Sequence, residues 1–321
     1  MEILFLSDFL PDKNLVLDKS VEELINNADY VVFNLEGSPL LPNEQFHEVN
    51  QIMPFDVDYI VDFLNKFGRE KFLIALANNH ILDNKVVAFD YLIEKFNENG
   101  ITYFGTKDAP SITINNFSIL NFVTGETVAK RKEGVKRLNY LFYDASQINK
   151  QINGLNSNTC ILYPHWGRDM DTQVFNTYKN KLKIPKKWFV FGHHPHVISG
   201  IYKNFIYSMG NSYIPHPYYY DKYPSTRFGI AIVLNTESNS YKLNLTTLEK
   251  QNFNFLLSSS NFTNIPGIVQ EHGKDFKLIK RVFLKILAFK GGFFDYFKLC
   301  FLQFMTVIFE LKYKMTKRSN S

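Results

Sequence analysis

The sequence predicts an α/β fold organised around a parallel sheet. Short, continuous apolar runs recur along the chain, and stretches with apolar residues at helical spacing separate the first of them. Continuous apolar runs are typical of strands buried on both faces, and their alternation with helices favours parallel pairing through right-handed crossovers. Nearly every run also ends in polar residues. Because open α/β sheets bind ligands at the carboxyl ends of their strands, these ends are candidate functional positions.

Composition limits the class of protein. The 321 residues, 45% of them apolar, can form one large domain or two ordinary ones. Cys160 and Cys300 lie far apart in apolar runs, which argues against a disulfide framework and a thiolate zinc site and fits a reducing compartment. The first apolar stretch is too short for a secretory signal, so we expect a cytoplasmic protein.

The first strand covers residues 3–6 and ends at Ser7-Asp8. Ser20 and Glu23 have the spacing of a capping box, which predicts a helix from Ser20 through Asn27. The second strand covers residues 30–33 and ends at Asn34-Leu35-Glu36-Gly37.

Two further helices and a strand follow. Asp56 is the predicted N-cap of a helix with apolar residues at helical spacing up to Phe67. The third strand covers residues 72–77 and ends at Asn78-Asn79-His80. The next helix is expected over residues 83–99, closed by Gly100.

The second half of the main domain predicts mostly strands. They cover residues 111–114, 117–122, 159–163, 188–191, 205–208, 228–234 and 241–248, the last two as an antiparallel pair. A basic loop at residues 130–133 is expected to be a solvated surface, with phosphate or polymer binding as the alternative.

We expect a main domain at residues 1–250, a linker at 251–275 and a basic helical tail at 276–315. Residues 274–318 hold eleven Lys and Arg against three Asp and Glu, whereas the preceding 273 residues have a net charge of −3.

The acidic body and the lack of a base-stacking module argue against nucleic acid as a partner. Residues 276–289 have one apolar and one basic face, which favours peripheral binding to the anionic inner face of a membrane or, alternatively, docking on the body. No uncharged run in the tail has the roughly 20 residues of a spanning helix.

The densest group of polar strand ends is Gly192-His193-His194-Pro195-His196. Gly192 is expected to let the chain turn, and Pro195 to hold its neighbours in an extended segment. Alternate residues of an extended chain share a side. We therefore expect His194 and His196 to point the same way and His193 to point elsewhere, in a supporting role.

The strand ends together form a set of metal-ligand residues. They are Asp8, Asn34, Glu36, Asn79, His80, His165, His193, His194, His196 and Asn211. Carboxylate, imidazole and amide groups suit Zn, Mn or Fe, and such a set can hold one or two ions in a hydrolase. Alternatively, His165 is a packed histidine beside Trp166, the carboxylates cap helices and the amides stabilise turns.

These strand ends resemble the CapA family of bacterial capsule and poly-γ-glutamate synthesis proteins, whose domain is similar to calcineurin-like metallophosphoesterases. The resemblance covers roughly residues 1–235. The matching segments, in order, are Ser7-Asp8, residues 28–37, residues 76–83, His165-Trp166-Gly167, residues 192–197 and residues 207–211.

The resemblance implies a four-layer α/β/β/α sandwich of metallophosphoesterase type, here with a C-terminal helical extension. It implies that Asp8 and His196 bind a first metal and that Asn79, His165 and His194 bind a second, with Glu36 between them. His80 would be the general acid or the oxyanion donor, and Asn34, His193 and Asn211 supporting residues. Leu10 stands where metallophosphoesterases usually have a histidine, and Glu36 stands in place of a shorter Asp.

The function expected from this resemblance is a metal-dependent hydrolase or transferase that acts on a surface polymer or its precursor during capsule biosynthesis or modification. The alternative is a non-catalytic module that binds a polyanion or a partner in a membrane-associated polymer-synthesis assembly.

Overall fold

The computed structural model describes residues 1–42, 44, 53–84, 86–124, 127, 145–170, 182–215, 223–251 and 254–261. The basic loop at 130–133 and the tail at 276–315 lie outside these residues. Within them, no helix is both long and apolar enough to span a membrane.

The described elements give a mixed α/β fold. The strands are β1 (Glu2–Phe9), β2 (Leu15–Leu17), β3 (Tyr30–Leu35), β4 (Ser38–Pro39), β5 (Pro54–Phe55), β6 (Phe72–Ala75), β7 (Thr102–Phe104), β8 (Ser111–Ile114), β9 (Phe117–Val123), β10 (Thr159–His165), β11 (Phe189–Phe191), β12 (Ile198–Tyr202), β13 (Phe205–Met209), β14 (Asn211–Tyr213), β15 (Phe228–Asn235), β16 (Ser240–Gln251) and β17 (Asn254–Asn261). The helices are α1 (Lys19–Asn27), α2 (Val57–Lys66), α3 (Val86–Glu98) and α4 (Ala145–Gly154), with short 3-10 turns at Arg69–Lys71 and Pro224–Arg227.

The first sheet has the strand order β2-β17-β16-β15-β1-β3-β6-β7, with β14 beside β1. The strands β1, β3, β6 and β7 pair in parallel, as the alternation of strand and helix predicts. The strands β15, β16 and β17 extend this sheet in antiparallel fashion, and the expected pairing of β15 with β16 is confirmed.

The second sheet has the order β12-β13-β11-β10-β9-β8. Its central strands β13, β11, β10 and β9 are parallel, and β12 and β8 close its two edges in antiparallel fashion. The polar ends of β10 and β11 therefore lie at one edge of this sheet.

Three apolar clusters show how these elements pack. One cluster joins the helices α1, α2 and α3 to the first sheet, through residues such as Val21, Ile60 and Leu92. A second combines side chains of both sheets, such as Phe5 and Phe191, whose rings meet edge to face. The third joins α4 to the second sheet through Ile148 and Ile152.

Two helix starts differ from the sequence prediction. Asp18, not Ser20, caps α1: its carboxylate accepts hydrogen bonds from both the backbone N–H and the hydroxyl of Ser20. The helix α3 begins at Val86, later than Asp83, which instead contacts His80. The predicted cap Asp56 is confirmed for α2, and Gly100 has the positive φ of a helix C-terminus.

The predicted linker is wrong at its start. Residues 254–261 form β17, which pairs with β16 along its length and with β2 on its other side. The strand is hidden in the sequence because its apolar residues and its serines form two blocks, with no alternation of polar and apolar residues. The remainder of the predicted linker lies outside the described residues.

Candidate metal centre

The polar strand ends of both sheets meet in one buried cluster. Asp8 is the penultimate residue of β1, Glu36 and Asn79 follow β3 and β6, and His165 ends β10. The three histidines after β11 complete the group, and Asn211 begins β14 next to Asp8. The clustered residues with at most 3% exposure are Asp8, Asn34, Glu36, His165, His193, His194, His196 and Asn211.

Asp8 is held by donors on three sides. Asn34 Nδ2 donates to Asp8 Oδ1 at 2.8 Å and also to Glu36 Oε2 at 3.0 Å. The backbone N–H of His194 donates to Asp8 Oδ2 at 3.0 Å, and His193 Nδ1 lies 3.0 Å from Asp8 Oδ1. Asn34 therefore bridges the two carboxylates, and Asp8 anchors the backbone of the histidine segment at His194.

Amides orient two of the imidazoles. His165 Nε2 lies 2.7 Å from Asn79 Oδ1, and its Nδ1 lies 2.9 Å from His193 Nδ1. His196 Nδ1 lies 2.7 Å from Asn211 Oδ1. An amide oxygen can accept a hydrogen bond from a ring nitrogen, so each contact sets the orientation of its imidazole ring.

The conformation expected for the histidine segment is wrong. His194 and His196 have φ values of 97° and 59°, in the left-handed region, so the chain coils there instead of extending. Both rings still reach the cluster, with centroids 5.7 Å apart. His193 does not point elsewhere either, because its ring is buried between Asp8 and His165.

The cluster contains groups of side chains that can hold a metal ion. Their potential ligand atoms lie within 4.8 Å of one another, and the groups are Asp8, His165 and His193; Glu36, His165 and His194; Asp8, Glu36 and His196; and Asp169, His194 and His196. Among the described residues, neither Glu36 Oε1 nor His194 Nδ1 has a hydrogen-bond partner, although both are buried. Buried polar atoms normally have partners, so these two atoms fit a bound cation.

The electrostatics also favour a cation. Burial raises the pKa of a carboxyl group, but the charge of His193 and the hydrogen bond to His165 hold the pKa of Asp8 well below its usual range. Burial and the charge of Asp8 raise the pKa of Glu36 well above its usual range. Two carboxylates this close cannot both ionise cheaply, and a divalent cation between them would remove that cost.

Two histidines have lowered pKa values, which favours the neutral form that binds metals. Burial, with a smaller contribution from the neighbouring His194, lowers the pKa of His165 well below its usual value. Burial, opposed by Asp169 and aided by His196, lowers the pKa of His194 to about 3.

His80 lies next to the cluster in the turn that carries Asn79. Its Nδ1 is 2.8 Å from Asp83 Oδ2, and the imidazole is largely buried. Asn78 holds this turn by accepting hydrogen bonds from the backbone N–H groups of His80 and Ile81, while its Nδ2 donates to the carbonyl of Leu35. The turn is thereby tied to the end of β3.

Leu10 takes no part in the cluster. Its side chain packs in the apolar cluster of the first sheet with Met53 and Phe55. The register of β1 against β14 shifts between Asp8 and Phe9, and an irregularity of this kind redirects the side chains that follow it. The position two residues after Asp8 therefore belongs to the apolar core and offers no metal ligand.

Sequence reasoning missed Asp169. This residue follows His165-Trp166-Gly167 and lies with its Oδ1 3.3 Å from His194 Nε2. The sequence offered a weak signal, an acidic residue just beyond a strand end, but no local spacing links it to a histidine 25 positions later.

Fold and cluster together define a mixed α/β protein with a buried carboxylate and imidazole centre that could hold a divalent metal ion. The sequence matches the family described as bacterial capsule synthesis protein PGA_cap over residues 12–215. The match covers more than half of the chain, and the protein belongs to this family, as the resemblance to CapA proteins predicts. The matched segment contains every cluster residue except Asp8. No significant match was found among curated proteins.

Proposed function

We propose that this protein is a metal-dependent hydrolase or transferase of the metallophosphoesterase type, acting in the biosynthesis or modification of a bacterial capsule or other surface polymer. The observation that carries the proposal is the buried cluster in which Glu36 Oε1 and His194 Nδ1 lack hydrogen-bond partners among the described residues. Membership of a capsule synthesis family supports the polymer as the target.

The donor set fits one or two ions of Mn, Zn or Fe. Two of the groups share Glu36: one adds Asp8 and His196, and the other adds His165 and His194. This sharing supports Glu36 as the residue between two positions, with Asn79 as a further ligand beside His165. A divalent ion bound there supplies Lewis-acid polarisation of a phosphoryl or carbonyl oxygen.

His80 is proposed to be the proton donor. The Asp83 carboxylate contacts Nδ1. The protonated imidazole carries a hydrogen on each nitrogen, so its Nε2 can give a proton to a leaving group or a hydrogen bond to a developing oxyanion. Asn34 holds the two carboxylates in place, His193 orients His165, and Asn211 orients His196. The burial of these groups excludes water and strengthens each polar contact.

The three apolar clusters support a four-layer α/β/β/α sandwich of metallophosphoesterase type. The helical spacing of apolar residues at 276–289 in the sequence supports a helical extension over residues 276–315. The charge of this extension supports peripheral binding at the inner, anionic face of the membrane. Co-sedimentation with anionic vesicles, comparing the full chain with a 1–273 truncation, tests this part; equal binding by both would contradict it.

Metal analysis followed by activity assays tests the enzyme proposal. The purified full chain, reconstituted with Mn²⁺, Zn²⁺ or Fe²⁺, is expected to retain about one or two equivalents of at least one metal after desalting. Phosphodiester, glycosyl-phosphate and amide substrates then assign the reaction. Retention below about 0.2 equivalents of every metal, or activity that His80→Ala leaves unchanged, would contradict the proposal.

A non-catalytic binding module is the second candidate, and the position of Leu10 favours it. A first metal site without that histidine ligand has fewer groups to hold an ion for catalysis. In this case His194→Ala and His196→Ala would leave polymer production in cells unchanged, whereas the enzyme proposal expects both variants to lose it.

A further inference from the structure

Asp169 and His194 form a contact at the outer side of the cluster. Asp169 Oδ1 lies 3.3 Å from His194 Nε2, and the Asp169 side chain is 50% exposed whereas that of His194 is 3% exposed. The other ring nitrogen of His194, Nδ1, is buried and has no hydrogen-bond partner among the described residues. The two nitrogens thus have different surroundings: Nε2 lies beside a carboxylate, and Nδ1 is buried without a partner.

Backbone hydrogen bonds position the loop that carries Asp169 beside the histidine segment. Two hydrogen bonds join the Asp169 loop to the histidine segment, from the N–H of Trp166 to the carbonyl of His193 at 3.1 Å and from the N–H of Met170 to the carbonyl of Pro195 at 2.9 Å. Gly167 lies between them with φ of 89°, and a side chain there would overlap the Tyr207 hydroxyl. The contact is therefore fixed by backbone pairing on both sides of Asp169.

We propose that Asp169 is a positioning residue that accepts the Nε2–H of His194 and so presents Nδ1 to the metal. A histidine that binds a metal usually donates its other N–H to a carboxylate or carbonyl, which fixes the tautomer and makes the ligating nitrogen more basic. This assignment uses both nitrogens of His194. It rests on the proposed metal site and adds a residue that neither the sequence motifs nor the family match assigns.

Direct ligation of a metal by Asp169 is the competing arrangement, because Asp169, His194 and His196 also form one of the possible metal groups. It would direct His194 Nε2 to the metal and leave the buried Nδ1 without a partner, at the cost of an unsatisfied polar group. The positioning role carries no such cost, and it allows Asp169 to remain half exposed.

Metal titration of the full chain tests the proposal. Co²⁺ and Zn²⁺ affinities are measured by competition with a chelating dye for wild type, Asp169→Ala, Asp169→Asn and the control Asp90→Ala. Asp90 is an exposed aspartate on α3, so its removal matches the change in charge and size. Thermal unfolding without metal checks that all variants fold, and the Co²⁺ absorption spectrum at saturation reports the ligand set.

Asp169→Ala is expected to weaken metal binding about 10- to 100-fold, with the stoichiometry and the Co²⁺ spectrum at saturation unchanged. Asp169→Asn is expected to fall between wild type and Ala, since its amide oxygen still accepts the N–H. Affinity equal to that of Asp90→Ala would overturn the proposal. A lost equivalent or an altered saturated spectrum would overturn it in favour of direct ligation. Absence of metal from the wild type would instead remove the proposed function itself.

Discussion

The hydroxyl of Tyr163 donates a hydrogen bond to the backbone carbonyl of Leu6 and thereby joins the two sheets. Tyr163 lies two residues before His165 on β10, and Leu6 lies two residues before Asp8 on β1. A second link runs through Asn121, whose Oδ1 accepts from the N–H of Ala77 at 2.8 Å and whose Nδ2 donates to the carbonyl of Tyr163 at 2.7 Å. Residues adjacent to the candidate metal centre thus link the two sheets.

Tyr163→Phe is expected to weaken this link without changing the packed volume. Burial and the charge of Asp8 raise the pKa of Tyr163 well above its usual value, so the phenol stays protonated and donates at every working pH. Loss of this donor leaves a buried carbonyl without its partner and is expected to lower the free energy of unfolding by about 1–3 kcal/mol. Metal affinity should also fall by about tenfold, as for other residues that support ligands; denaturant unfolding and dye competition measure the two effects.

Tyr30→Phe is the control for this prediction. Tyr30 packs on Phe117 in the same apolar cluster between the sheets, and no hydrogen bond of its hydroxyl occurs within the described part of the chain. Its removal should change stability by less than about 0.5 kcal/mol and leave metal affinity unchanged. If the two variants behave alike, the hydrogen bond of Tyr163 is not an effective link between the sheets.

Gly192→Ala is expected to disrupt the histidine segment. A methyl group at Gly192 would overlap the carbonyl oxygen of Tyr207 and the indole nitrogen of Trp166. The N–H and carbonyl of Gly192 also bond to β13 at 2.8 Å each, so the chain cannot move aside freely. Overpacking of this kind costs about 1–3 kcal/mol, and displacement of the histidines should reduce bound metal, as measured by thermal unfolding and metal analysis.

Gly154→Ala supplies the matched comparison for Gly192. Gly154 is the last residue of α4, and a methyl group there meets nothing within 4 Å. This substitution should change stability by less than about 1 kcal/mol and leave metal content at the wild-type level. Equal effects of the two alanines would show that close packing at Gly192 is unimportant.

His80→Ala is expected to lower the turnover number by about 10²- to 10⁴-fold while metal content stays at the wild-type level. The reason is that His80 contacts Asp83 and belongs to none of the groups of possible metal ligands in the described residues. Asp83→Asn should lower turnover less, because the ring remains but loses its charged partner. Steady-state kinetics with metal analysis checks both, and loss of metal from His80→Ala would mean that His80 is a ligand.

Leu10→His tests whether a missing ligand can be restored at this position. Because the side chain of Leu10 packs with Met53 and Phe55, a histidine there would be buried in apolar surroundings. We expect a loss of about 2–5 kcal/mol in the free energy of unfolding and no additional bound metal. A gain of one metal equivalent with stability retained would show that the position faces the centre after all.

Much of the site could be predicted from the sequence because buried parallel strands leave a local signature. The runs before Asn34, Asn78 and His165 are continuous and apolar, and each ends where the backbone reaches the edge of its sheet. The residue types at these strand ends then predict the kind of site, since carboxylates and imidazoles are common metal ligands. Short strands such as β2 and β14, with three residues each, escaped prediction because they carry too little periodicity.

The sequence by itself thus determined the alternation of strands and helices, the polar strand ends and the family of the protein. Tertiary structure alone decided that His193 lies inside the cluster, that Leu10 packs in the core and that Asp169 contacts His194. The physical reason is that periodicity reports which face of an element is buried, whereas these features depend on contacts between distant segments. The left-handed conformations of His194 and His196 were also decided by tertiary structure. Residues other than glycine adopt such conformations where surrounding contacts offset the strain.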